Sequence, residues 1–183
     1  MSQSGKSGLL PLVLGVAGLV LVLDQGAKWA AVTFREGQPS IAVVGQWIQF
    51  TVIRNAGAAF GLGASATIVF SLVAVAVAVV VVKQARTLTS RAWAVALGAL
   101  LGGAVGNLID RLTRSPGVGR GAVVDFVDVK YFSVFNLADV ALTLAAASIA
   151  ILAVRGVAMS EPVSGASSPG DDLPADQPPY SDL

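Results

Sequence analysis

The chain contains no cysteine and no histidine. That excludes disulfides, thiol nucleophiles and the zinc sites built on those two side chains. It also removes the side chain that most often acts as a general base near neutral pH. Charge is scarce: 13% of the 183 residues are charged, about half the usual share of roughly 25%. The net charge of +1 offers no basic footprint for a nucleic acid, so none is expected as a partner. The chemistry that remains belongs to carboxylates, serine, lysine and tyrosine.

What is present is apolar. Hydrophobic residues make up 55% of the chain, and they fall into four stretches. The expectation is an all-α polytopic membrane protein, a bundle of four transmembrane helices at about residues 9–32, 61–82, 92–109 and 135–154. The first stretch is expected to be a retained helix rather than a cleaved leader, because Asp24 and Lys28 follow it where small cleavage-site residues would stand. The second ends in alternating Val and Ala, but its length and lack of turn residues favour a helix. Gly98 and Gly102 in the third have the spacing that lets helix backbones approach closely.

The short turn at 83–91 holds Lys83, Arg86 and Arg91 and no acid, which places it in the cytoplasm with both termini. Residues 36–60 and 112–134 are then extracytoplasmic. The first of these alternates β-branched and aromatic residues, and a small β-hairpin or sheet on the outer surface is expected there. Residues 1–158 form the membrane domain. Residues 159–183, rich in Ser, Pro, Gly and Asp, read as a disordered cytoplasmic tail.

The few polar residues of the helices lie at one level. Asp24, Asn107 and Asp139 are each about 15 residues from the far end of their stretch, roughly 22–24 Å into a hydrocarbon core of about 30 Å. An ionisable group at depth costs about 2.5–3.5 kcal/mol on insertion scales and generally marks a function. Asp24 and Lys28 have the i, i+4 spacing of an ion pair. Asp110, beside Arg111, reads as a structural ion pair or helix-end anchor. The NAGAAFG segment from Asn55 to Gly61 reads as a tight re-entry turn that can also present polar groups to a peptide. Asp125 and Asp139 have apolar neighbours and no local neutraliser, and Asn136 precedes Asp139 by three residues. The residues alone leave three readings of these acids open: a catalytic pair sharing one proton, a proton or ion pathway, and a structural role.

Four blocks in order resemble the lipoprotein signal peptidases (signal peptidase II), membrane-embedded aspartic proteases of bacteria. They are DQGAK at 24–28, NAGAAFG at 55–61, GGAVGNLIDR at 102–111, and VVDF at 123–126 followed by FNLAD at 135–139. The resemblance covers about residues 9–155. Ala27 and Val140 depart from the commonest pattern, where Ser or Thr and Ser are frequent. The resemblance implies an endopeptidase that cuts diacylglyceryl-modified prolipoproteins just before the lipidated cysteine. It implies Asp125 and Asp139 as the catalytic pair. It implies Asp24, Lys28, Asn55, Gly106, Asn107, Arg111, Asn136 and Ala138 as residues that line or support the site. No metal or organic cofactor is implied. The outer segment at 36–60 resembles an extracytoplasmic cradle, with the active site near that face of the inner membrane. The chain is expected to work as a monomer in membrane lipid.

Two rivals follow from the residues. A small transporter relaying protons or ions through Asp24, Asp110 and Asp139 would need polar groups spread through the membrane, whereas these cluster at one level. A Ser/Lys peptidase would need Lys28 as base and Ser133 as nucleophile.

Overall fold

The computed structural model describes residues 8–56 and 63–160. Helix α1 spans Leu10–Arg35, α2 Gly63–Ala85, α3 Arg91–Thr113 and α4 Leu137–Val154. Strands β1 (Ile41–Val44) and β2 (Ile48–Asn55) lie between α1 and α2, and β3 (Val123–Val129) and β4 (Ser133–Phe135) between α3 and α4. Among the described residues all four helices are long and apolar enough to cross a membrane. The tail from Glu161 lies outside the described residues, as do Gly57–Gly61 of the expected re-entry turn.

Helix α3 is the hub: α1, α2 and α4 all pack on it, while α2 touches α1 only slightly. Glycine allows this. A Cβ on Gly98 would lie 2.8 Å from the Val13 carbonyl oxygen, and one on Gly102 2.7 Å from that of Ala17, both on α1. On the adjoining face, a Cβ on Gly103 would lie 2.7 Å from the Ala138 carbonyl oxygen on α4. These contacts are with backbone, which cannot swing aside. Gly102→Ala is therefore expected to destabilise the bundle by about 1–3 kcal/mol, the usual cost of overpacking. Gly15, also in α1, has nothing within 4 Å of its would-be Cβ. There Gly15→Ala should stabilise by up to about 1 kcal/mol through helix propensity. Denaturant unfolding in detergent should show shifts of opposite sign, and a shared sign would undo this account of the packing.

One end of the bundle is tied by backbone. Leu9 N–H donates to the Leu88 carbonyl at 3.1 Å, and Thr89 N–H to that of Met159 at 3.1 Å. Trp93 Nε1–H donates to the Val157 carbonyl at 2.8 Å. The start of α1, the α2–α3 turn and the chain after α4 thus meet around buried Val13, Ala85, Leu88 and Trp93.

A four-stranded antiparallel sheet, in the order β1-β2-β3-β4, closes the opposite end. The hairpin expected in 36–60 is there as β1 and β2. The strands of the second outer segment were not anticipated; they extend that hairpin rather than forming a separate loop. In the register, Ile53 stands opposite Asp125 and Asn55 opposite Val123. Strand side chains alternate between faces. Val124 and Phe126 accordingly face α1 and pack with Ala31, while Asp125 turns the other way.

Candidate active site

The site is built on a buried charge cluster. Lys28 is fully buried. Its Nζ lies 2.8 Å from Asp24 Oδ2 and 3.0 Å from Asp110 Oδ2, and donates to Asn107 Oδ1 at 2.9 Å. Both carboxylates are themselves fully buried. The i, i+4 pair of Asp24 and Lys28 is present, but the expected partner of Asp110 is corrected. Asp110 pairs with Lys28 and with Arg114 Nε at 2.8 Å, not with Arg111. Adjacent residues on a helix point in directions about 100° apart, whereas residues four apart share a face. Three N–H bonds of the ammonium meet three acceptors, so Lys28 has no free lone pair to act as a base. Ser133, the nucleophile of the Ser/Lys rival, is exposed and its hydroxyl donates to the Val134 carbonyl at 3.2 Å.

Each acid beside Lys28 also anchors a backbone N–H. Asp24 Oδ1 accepts from Ala138 N–H at 2.9 Å, and Asp110 Oδ2 from Val124 N–H at 3.2 Å. Ala138 immediately precedes Asp139, and Val124 immediately precedes Asp125. The cluster thus holds the residue before each of the two aspartates. Gly106 makes the approach possible, since a Cβ there would lie 2.7 Å from Asp24 Oδ2. Ala138 is fully buried against it.

Asp125 and Asp139 come from different elements, β3 and the first turn of α4. Asn136 joins them. It is the N-cap of α4. Its Oδ1 accepts from Asp139 N–H at 3.0 Å, its own N–H donates to Asp139 Oδ2 at 3.2 Å, and its Nδ2 donates to Asp125 Oδ1 at 2.6 Å. A capping box of this kind satisfies helix N–H groups that would otherwise be unpaired. Here it also sets the orientation of both carboxylates. Asn55 Nδ2 donates to Asp125 Oδ2 at 2.9 Å, and Asn107 Nδ2 to Asp139 Oδ1 at 2.8 Å. Lys28, Asn107 and Asp139 therefore form one chain of hydrogen bonds.

Burial pushes the Asp125 carboxyl up to about 6. The amide donors Asn55 and Asn136 work against that rise, and the nearby charge of Asp139 adds to it. Burial favours the neutral acid and donors favour the carboxylate; burial is the larger effect here.

Both aspartates border a cavity of about 440 Å³. Asn55 lines it too, and Phe132, Phe135 and Leu144 supply apolar wall. A second cleft of about 230 Å³ reaches Asp139 from the α2 side and is lined by Phe70, Asn107 and Arg111. The Arg111 guanidinium donates to the Asn107 carbonyl at 3.2 Å and stacks over Phe70, 5.6 Å from the ring centre. All ten residues singled out in the sequence fall within this one network. Three others were missed. Asp110 is expected only as a structural ion pair or helix-end anchor and not as part of the site, Arg114 carries no expected role, and Gln25 Nε2 donates to Asp24 Oδ2 at 3.1 Å and to the Gly106 carbonyl at 3.0 Å. The i, i+4 spacing of Asp110 and Arg114 was the available signal.

A model of the signal peptidase (SPase) II family, Peptidase_A8, matches residues 16–155. The chain belongs to the signal peptidase II family. It is 50% identical over 153 residues to a lipoprotein signal peptidase of Streptomyces griseus subsp. griseus, covering 84% of this chain and 78% of the relative. It is 50% identical over 146 residues to that of Streptomyces coelicolor, covering 80% and 72%. With that of Leifsonia xyli subsp. xyli it shares 41% over 181 residues, covering 93% and 83%. A solved structure of a bacterial membrane enzyme, determined by the in meso method, superposes with a TM-score of 0.70 at 28% identity, covering 85% of this chain and 95% of that one. As a signal peptidase II, the chain is a protease that processes prolipoprotein signal peptides. With its apolar helices it is a multi-pass protein of the bacterial inner membrane.

Proposed function

We propose that this signal peptidase II cuts diacylglyceryl-modified prolipoproteins just before the lipidated cysteine, with Asp125 and Asp139 as the catalytic pair. The observation that carries the reading is the pair itself: two carboxyl groups bridged by Asn136 at the wall of a largely apolar cavity. One proton is shared between them. The carboxylate takes a proton from water, and the oxygen of that water attacks the scissile carbonyl. The neutral acid gives its proton to the carbonyl oxygen, forming a tetrahedral diol. The first carboxyl, now carrying the water proton, gives it to the amide nitrogen while the other carboxylate takes a proton from a diol hydroxyl; the C–N bond breaks, releasing the signal peptide acid and the free amine of the lipidated cysteine and restoring the singly protonated pair. General acid–base transfer of this kind is worth about 10²–10⁴-fold. Asp24, Lys28, Asn107 and Gly106 hold Asp139 and its helix; Asn55 and Asn136 hold Asp125; Arg111 and Ala138 complete the support.

The sheet acts as a cradle over the site at the extracytoplasmic face, and the acyl chains of the substrate stay in the outer leaflet beside it. Both termini are cytoplasmic, residues 1–160 make the working unit, since Met159 ties down the α2–α3 turn, the unit acts as a monomer in lipid, and the residues from Glu161 on are a dispensable tail. The orientation has a direct test, because the chain has no cysteine of its own. Thr87→Cys should be protected from an impermeant thiol reagent in intact cells. Val118→Cys, at a position 82% exposed, should be labelled. The opposite pattern would reverse the membrane orientation and the location of the site.

The raised Asp125 fixes the expected pH dependence. The pair keeps its shared proton on the acid side of about 6 and loses it above, so kcat/KM should fall as pH rises through that region. Such a limb belongs to the coupled pair rather than to one residue. In the kcat profile the limb should lie at higher pH, since bound acyl chains exclude water and favour the neutral acid. A flat alkaline profile would remove the shared proton from the mechanism. The substrate claim is tested by offering the purified enzyme a prolipoprotein with and without its diacylglyceryl group. The modified form should be cleaved and the unmodified form spared; equal cleavage of both would overturn the lipid requirement.

A further inference from the structure

Asn55 is the last residue of β2, and among the described residues its amide is one of two side-chain donors to Asp125. A strand end frays easily unless something holds it. Asn55 is paired with Val123 in the sheet, and the preceding residue adds a second tie. Arg54 Nε donates to Glu36 Oε1 at 2.7 Å and Arg54 Nη2 to Glu36 Oε2 at 2.9 Å. Glu36 is the C-cap of α1. Neighbouring strand residues face opposite sides, so Arg54 reaches back to α1 while Asn55 reaches Asp125. Helix α1 is also the element that carries Lys28, which holds Asp139 through Asn107.

We propose that the Glu36–Arg54 pair is a positioning clamp that fixes the end of β2 to α1 and thereby holds the Asn55 amide on Asp125. It rests on the reading of Asp125 as a catalytic acid. Both aspartates are then referenced to one helix, Asp139 through Lys28 and Asp125 through Glu36. Bidentate geometry makes the clamp directional as well as attractive. Its two side chains are 39% and 40% exposed. It is therefore adjustable by salt in a way the buried cluster is not.

The test is a double-mutant cycle on the full-length enzyme with lipid-modified prolipoprotein. Glu36→Gln and Arg54→Gln should each lower kcat up to about fivefold, the range of an exposed pair, with KM little changed. Each should move the alkaline limb to higher pH, because an Asn55 amide held less firmly favours the Asp125 carboxylate less. The double variant should be no worse than either single one. In an Asn55→Ala background the same changes should add nothing. Wild-type kcat and limb in both singles, multiplying losses in the double, or undiminished losses in the Asn55→Ala background would each overturn the clamp. If Asp125→Asn retains wild-type turnover, the catalytic reading beneath the clamp fails instead. If Asp125→Asn is inactive while Glu36→Gln and Arg54→Gln behave as wild type, only the clamp fails.

Discussion

Lys28→Ala is expected to yield little folded protein, and the fraction recovered to be nearly inactive. The substitution leaves Asp24, fully buried, without its cation, and leaves Asp110, equally buried, with Arg114 alone. Breaking a buried ion pair by removing one partner costs about 3–5 kcal/mol, because the remaining charge has no compensation. That is a large share of the roughly 5–15 kcal/mol of a typical domain. The loss spreads to function along two routes, through Asn107 to Asp139 and through Asp110 to the Val124 N–H beside Asp125. Lys83→Ala, at an exposed position of α2, should stay within about 0.5 kcal/mol of wild type. Thermal unfolding and cleavage measured on the same preparations separate the two cases. Equal, mild effects would mean that Asp24 is neutralised by something other than Lys28.

Asp125→Asn and Asp139→Asn should each lower cleavage by about 10²–10⁴-fold while leaving the bundle folded. The replacements are nearly isosteric, but an amide neither takes nor gives the proton. Members of one catalytic unit are non-additive, so the double variant should be scarcely slower than either single one. Asp128→Asn is the control. It lies three residues along β3 from Asp125, hence on the opposite face of the strand. It stands opposite Gln49 and Val134 and should keep most activity. Loss of activity in all three variants alike would point to damage of the sheet rather than to acid–base chemistry.

The helices were legible because a span of lipid demands an unbroken apolar run, and that demand is local to each stretch. The polar level was legible for the same reason: Asp24, Asn107 and Asp139 stand out against their own surroundings. The first hairpin showed in the alternation around Ile48–Asn55. The second pair of strands did not, because β4 has only three residues. The first four residues of β3 are all buried, so no polar face alternates with the apolar one. Pairings across distant sequence were the least legible. Asp110 finds Lys28 on α1 and the Val124 N–H on β3, and nothing in the neighbourhood of Asp110 points to either. Asn136 was visible as a neighbour of Asp139, but its reach to Asp125 depends on β3 passing the start of α4, which is a property of the fold.

The most direct test of the aspartate pair is the mass of the prolipoprotein that accumulates in cells whose only signal peptidase II carries Asp125→Asn or Asp139→Asn, at enzyme levels matched to wild type. The expected species in both variants is a precursor that retains its signal peptide and already bears the diacylglyceryl group. Mature lipoprotein at wild-type rates in both would contradict a catalytic role for the pair.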